Sequence, residues 1–495
     1  MLLTKTKFVA GSQCLKRLYL AVHSPELAAQ PEESDQAIID QGQEVGLLAR
    51  QMFPGGVAVE SRDREQTILT TRELIENPGI PAIFEGAFEH RDVFVRVDIL
   101  QRLQDQRWRL IEVKSTTDAR DHHLDDVAIQ HRVVIRSGVD LAASCLAHVN
   151  REYLYEGGPI DVHRFFRIRN LTRQVERAQP EITTQLRSEF RILAMPEAPD
   201  IAPGRQCSHP ITCEFFDCCN PPLPDDHILR LPRVHASTVA KLVALGIQSI
   251  HDIPENYPLS GRLRRACTSV RTGTPWFGPE LKDELKGLRY PLYYMDFETI
   301  NPCLPRFPGM RPYDLLPFQW SVHVQRQPDA TPEHFEFLAT DKSDPRPAFI
   351  SALCDALGDR GTILVYFQQF ESQRLADLAA WLPEFSGRID KIQRRLWDLL
   401  PVIRNHVYHP AFGGSYSLKY VLPALVPEMT YEGKEVADGQ AAGLAWQSLI
   451  ECDCSEADRQ RRRKALLDYC GQDTLGMVKI VEALRQYTLN QPTKM

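Results

Sequence analysis

Apolar and polar positions alternate along residues 82–115, where "AIFEGAFE", "VFVRVDILQRL" and "WRLIEVKST" predict three strands. Helical spacing flanks them, in "IIDQGQEVGLLARQMF" before and "DDVAIQHRVVIRSG" after, and an apolar strand "LAASCLAHV" follows. A second strand-rich run opens near 290 with "YPLYYMDFETI", "FQWSVHVQ" and "HFEFLAT". It continues through a helix, "PRPAFISALCDALG", to a strand, "TILVYF". Far downstream, "RKALLDYCGQDTLGMVKIVEAL" has the apolar period of a helix. Pro-rich breaks at 195–204 and 220–227 divide the chain into 1–220, a short helical insert at 221–288, and 289–495.

A length of 495 residues is consistent with two or three α/β domains. The net charge of −7 argues against nucleic-acid binding through bulk charge, yet leaves room for a local basic cleft. No run of about 18 apolar residues is present, and "MLLTKTKFVAGSQCLKRLYL" lacks the apolar core of a signal peptide. The expectation is a cytoplasmic protein with no membrane partner. Twelve cysteines then read as reduced thiols, and Cys207, Cys213, Cys218 and Cys219 crowd into one short stretch.

Charged residues inside apolar strands carry the chemistry. Asp296 and Glu298 stand two apart in a strand and so share a face. Burying both calls for a positive partner, most simply a divalent metal; a strand end in solvent is the plain alternative. Asp98 lies in one strand of the first domain, and Glu112 and Lys114 share a face of the next. The two carboxylates can hold Mg²⁺ while the lysine positions water or steadies charge on a phosphate. A surface Glu–Lys pair is the alternative there. Tyr469 and Asp473 are four apart on the late helix and face one way.

The helix, three strands, helix, strand order, with Asp98 and Glu112-Val113-Lys114, resembles the RecB branch of the PD-(D/E)XK nucleases. Gln130 matches the Gln of that family's Q-x-x-x-Y helix, with Val134 in the Tyr position. Gly46 stands where the upstream helix often carries a metal-binding His. Cys14 with Cys207, Cys213 and Cys219 resembles the four-cysteine iron–sulfur nucleases of that branch, which implies a [4Fe–4S] cluster. Cys218 is the neighbouring candidate, and Zn²⁺ or unligated thiols are the other readings.

In the last domain, D-x-E followed by Y-x-x-x-D resembles the DnaQ-like DEDD exonucleases, with a ribonuclease H-like core. That resemblance implies two Mg²⁺ or Mn²⁺ ions on Asp296, Glu298, Glu371 and Asp473, with Tyr469 orienting the attacking water. Asp398 competes with Glu371 for the fourth ligand, or supports the site. "LVALGIQSIHDI" resembles a helix–hairpin–helix element, and a structural hinge is its alternative. The layout as a whole resembles an uncharacterised bacterial family joining an iron–sulfur RecB-like nuclease to a DnaQ-like domain. The expected function is a DNA exonuclease with two metal-dependent sites, acting on single strands or free ends. An RNA exonuclease, or a nucleic-acid-binding protein with one inactive site, is the alternative.

Overall fold

In the computed structural model, which describes residues 2–61, 63–451 and 455–490, the alternating run at 82–115 forms three antiparallel strands. They are β1 (Ala82–His90), β2 (Val93–Arg102) and β3 (Trp108–Lys114). β4 (Leu141–Val149) pairs parallel with β3, and β5 (Phe166–Asn170) antiparallel with β4. Leu3–Thr4 and Val57–Ala58 add to β2 and β1, completing a seven-stranded mixed sheet. Its helices include α1 (Lys5–Gln13), α2 (Leu15–His23), α3 (Glu33–Arg50), α4 (Asp121–Arg136) and α5 (Thr172–Leu193). α4 is the crossover that a parallel β3–β4 pair requires. Leu110 and Leu146 point into a core with Phe8, Val127 and Ile182, while Ile111 and Cys145 pack on the other face with Val45 and Ala49 of α3.

Helix α1 approaches helix α5 closely at Gly11. A Cβ there would lie 2.3 Å from Glu189 Oε1 on α5. Glu189 is fully buried; Oε1 accepts from Gln185 at 2.7 Å and Oε2 has no partner. Burial pushes its pKa up to about 8. The folded protein thus holds a proton that an unfolded glutamate releases near ~4.3, so this contribution is complete below the unfolded value and is lost as pH rises through 8. Glu189→Gln is expected to flatten the fall in melting temperature across that window. A fall as steep as wild type's would remove Glu189 as its source.

The second sheet has the order β8–β7–β6–β9–β10, from β6 (Leu292–Ile300), β7 (Leu316–Gln325), β8 (Glu333–Leu338), β9 (Thr362–Val365) and β10 (Leu396–Asp398). β8, β7 and β6 run antiparallel; β9 is parallel to β6 and to β10. Its helices include α6 (Ala236–Ala244), α7 (Gly261–Thr272), α8 (Arg346–Leu357), α9 (Gln368–Trp381), α10 (Leu399–His406), α11 (Gly439–Glu451) and α12 (Glu456–Asn490). Along β6, Tyr293, Met295 and Phe297 enter a core with α8, and Leu292 and Tyr294 enter the opposite one with Met477, Ile480 and Leu484 of α12. Strand periodicity therefore turns Asp296 and Glu298 toward the α12 face.

The chain divides into two compact units, Met1–Pro222 with Pro302–Asp314, and Leu223–Asn301 with Leu315–Met495. Two boundaries differ from the sequence reading. The insert at 221–288 is no separate body, because Leu242, Ile250, Ile253 and Leu263 share a core with Tyr294, Leu364 and Leu484. Residues 302–314 leave the last segment and belong to the first unit. There the Cys303 N–H donates to Gln41 Oε1 at 3.2 Å, and the Tyr313 hydroxyl donates to the Ser115 carbonyl. In "LVALGIQSIHDI", α6 and a left-handed Gly246 are followed by a single 3₁₀ turn, Ile250–Asp252, rather than a second helix. Pro254 and Pro258 come next, and the next α-helix starts only at Gly261.

Candidate active sites

In the first unit, β3 delivers Glu112 and Lys114 to one cluster, to which α1 and α4 contribute. Lys114 Nζ donates to Glu112 Oε1 at 2.7 Å and to Asp126 Oδ2 at 2.5 Å. Gln130 Nε2 donates to Glu112 Oε2 at 2.7 Å and to Asp126 Oδ1 at 2.9 Å. Asp98, on β2, accepts the Val113 N–H at 2.7 Å. Burial and the Glu112 charge push its pKa up to about 7. Glu112 is itself buried, yet Lys5 and Lys114 hold its carboxyl well below the usual range.

Lys5 and Asp126 escaped the sequence reading. Lys5 Nζ sits 3.0 and 3.1 Å from the two oxygens of Glu112, where a cation ligated by that carboxylate would be expected. Its only local signal is a lysine in a short helix far from Glu112 in sequence. Asp126 could have been found, being four residues before Gln130 on one helical face. A divalent ion at Glu112 has to compete with the Lys5 ammonium, so this donor set fits Mg²⁺ only if Lys5 gives way. Gly46 brings no donor, and space is open around it. Val134 is buried in the core.

Also in this unit, Cys14, Cys207, Cys213 and Cys219 line one small pocket with Lys16, Arg17 and Phe215. Cys218 is exposed and outside that lining, which separates the adjacent pair. The Phe215 N–H points at Cys213 Sγ (3.4 Å) and the Gly204 N–H at Cys207 Sγ (3.5 Å), while burial pushes the Cys213 and Cys219 thiols up. Soft thiolates on one wall suit an iron–sulfur cluster or zinc.

The second unit gathers Asp296, Glu298, Glu371 and Asp473, and the balance of charge differs. Ligand atoms of Asp296, Glu298 and Cys470 lie within 4.8 Å of one another. Among the described residues none of the four carboxylates forms an ion pair, although Glu298, Glu371 and Asp473 are buried. Burial, then the charge of Asp473, pushes Asp296 well above the usual carboxylate range; Glu298 and Glu371 are raised by burial and by Asp296. Asp473 rises to about 6, also from burial, tempered by the Tyr431 hydroxyl that donates to it. Glu371 Oε2 is buried without a partner. An all-oxygen acidic set with an orphaned oxygen fits a hard divalent cation. Cys470 does not belong to that set, since burial keeps its thiol protonated.

The register of α12 on the sheet places its two site residues. Gln319 Nε2 donates to the Leu466 carbonyl at 2.8 Å, and Thr474 Oγ1 lies 2.7 Å from Ser321 Oγ and 2.8 Å from His323 Nδ1. Tyr469 and Asp473 then face the site, and burial together with Asp473 keeps the Tyr469 hydroxyl neutral. Tyr431, which the sequence reading missed, sits edge-on to Tyr469 with centroids 6.5 Å apart. It lies in an irregular segment with no periodicity to mark it.

Asp398 plays another part. Its carboxylate accepts the N–H groups of Phe367, Gln368 and Leu400, each at 3.0 Å. Phe367 has φ of 86°, a costly conformation for a bulky residue, and stands directly before α9, which carries Glu371. Asp398 thus fixes the helix that aims Glu371. Asp398→Ala strands three donors, at ~1–3 kcal/mol each if they stay dry. The expected result is a melting temperature lower by several degrees and reduced turnover. An unchanged melt with unchanged turnover would contradict the assignment.

The Gly pair at 413–414 has a packing role. A Cβ on Gly414 would lie 2.2 Å from the Arg230 carbonyl oxygen. His409 Nδ1 accepts the Ala411 N–H at 3.1 Å, and Lys419 lies 3.7 Å from Asp438.

A family described as a domain of unknown function (DUF2779) matches residues 293–417. The match takes in Asp296, Glu298, Glu371 and Asp398 and ends before Tyr469. No curated protein and no solved structure matches the chain.

Proposed function

We propose that the chain is a metal-dependent phosphodiester hydrolase, a DNA exonuclease whose second unit is a DnaQ-like DEDD site on a ribonuclease H-like fold. One observation carries the reading: four carboxylates converge from β6, α9 and α12, three of them buried, without an ion pair among the described residues. Asp296, Glu298, Glu371 and Asp473 would hold Mg²⁺ or Mn²⁺. Such ions, when bound, activate water and stabilise the departing oxygen. Tyr469 keeps its hydroxyl proton and can orient water toward phosphorus; Tyr431 holds Asp473 in place. Water oxygen forms the new bond to phosphorus, the bond to the 3′ oxygen breaks, and a proton passes to that oxygen.

The first unit is read as a RecB-like PD-(D/E)XK site, with Asp98 and Glu112 as metal ligands and Lys114 facing the phosphate. Its four cysteines would hold a [4Fe–4S] cluster in preference to zinc. A second reading, in which this unit binds nucleic acid without cutting it, is favoured by the Lys5 ammonium on Glu112.

The test is digestion of 5′- and 3′-labelled DNA and RNA with Mg²⁺, with Mn²⁺ and with chelator. Metal-dependent release of nucleotides from 3′ ends of DNA is expected. Intact substrates under every condition would end the proposal, and faster loss of RNA would move it to an RNA exonuclease.

A further inference from the structure

The second unit also holds a group of cations that the acidic site does not use. Arg233, Arg262 and Arg265 line an open pocket with His235, Ser260 and Thr238, and among the described residues no acidic side chain lines it. Arg404, on α10, belongs to the same group: Arg233 and Arg262 act on its charge, and all four guanidinium groups act on the buried Tyr416 hydroxyl. Among the described residues none of the four arginines forms a salt bridge. The Nε atoms of Arg262 and Arg404 are buried without a hydrogen-bond partner. Arg265 is braced, with its guanidinium 4.3 Å from the Trp276 ring and a bond of 2.9 Å to the Asn405 carbonyl.

Like charges placed together repel one another, and an anion among them would relieve that repulsion and take up the idle Nε donors of Arg262 and Arg404. Arginine forks match phosphate oxygens. The cations come from three separated segments, and Arg233, Arg262 and Arg265 line one open pocket, a spread that suits successive phosphates of a strand better than one small ion. Position agrees with this. Arg404 lies six residues after Asp398 on α10, roughly 9 Å along the helix, and Asp398 anchors the helix bearing Glu371. Tyr366 links the two regions, donating from its hydroxyl to the Tyr416 carbonyl at 2.6 Å.

We propose that Arg233, Arg262, Arg265 and Arg404 grip the phosphodiester backbone of a single nucleic-acid strand whose end lies in the Asp296–Asp473 site. This rests on the nuclease reading for what happens at that end, and stands without it as a binding site.

The experiment measures fluorescence anisotropy of a short labelled single-stranded DNA on the full chain without divalent ions, across a salt series. The Arg233→Glu/Arg262→Glu double variant is expected to bind at least about tenfold more weakly, with a salt slope shallower by ~1.4 for two lost contacts. Arg233→Lys/Arg262→Lys should stay within about threefold of wild type, because charge is kept. Asp473→Asn should bind no more weakly than wild type, since it removes a negative charge where the strand ends. Wild-type affinity and slope in the Glu double variant would overturn the proposal. So would displacement of the strand by inorganic phosphate at concentrations comparable to the strand's own, which would mark a small-anion site. Should the Glu variant fail to fold by circular dichroism, the wild-type salt slope decides, and a slope below that of one contact overturns the proposal. Binding that depends on the arginines in a protein that cuts nothing would instead end the nuclease reading alone.

Discussion

Replacing Asp473 by asparagine is expected to slow 3′-end trimming of single-stranded DNA by ~10²–10³ while leaving strand binding intact or tighter. The substitution is nearly isosteric, and an asparagine can still accept from the Tyr431 hydroxyl, so packing on α12 should hold. One negative charge disappears from a set in which Asp473 pushes up the pKa of Asp296 and of Glu298. Without metal that change is stabilising, and Asp473→Asn should melt no lower than wild type in chelator. With metal it removes a ligand whose worth is felt as charge builds on the breaking bond. Unchanged melting with lost turnover separates a ligand from a structural acid, which would show the reverse. Trimming within about threefold of wild type would exclude Asp473 from the site.

Cys213→Ser should have the largest effect on stability. Cys14 precedes every strand of the first unit's sheet except Leu3–Thr4, and the other three cysteines follow the sheet, so a cluster held by all four closes most of that unit into one loop. A crosslink over such a length is worth on the order of 4–5 kcal/mol. Wild-type protein handled without oxygen should be brown, absorb near ~400 nm and carry about four irons per chain. The serine variant should lose the colour and show early proteolysis within 1–222. Colourless wild-type protein with one zinc would remove the cluster from the account.

What the sequence disclosed follows the range of the interactions involved. Asp296 with Glu298, and Tyr469 with Asp473, were legible because strand and helix periods fix which side chains share a face. The mixed α/β character was legible for the same reason. Periodicity did not rank Glu371 against Asp398, since each acid follows an apolar strand, and Glu371 was preferred on the resemblance alone. Only the three backbone amides held by Asp398 tell the aimed acid from the anchoring one. Lys5 reaches Glu112 across 107 residues, a contact no local pattern encodes. The arginine group stayed hidden for that reason too, because Arg233, Arg262 and Arg404 come from three elements. The excursion at 302–314 has the ordinary composition of a proline- and glycine-containing loop, and only its bonds to Gln41 and Ser115 assign it to the first unit.

The central claim is that one chain carries two independent metal-dependent nuclease sites. Its most direct test is a crossed comparison of Lys114→Ala and Asp296→Ala with wild type on labelled single- and double-stranded DNA. The account predicts that Asp296→Ala abolishes 3′-end trimming and leaves a second cleavage pattern, which Lys114→Ala removes while trimming persists. If either single substitution abolished every cleavage of every substrate, or neither changed any, the two-site account would be contradicted.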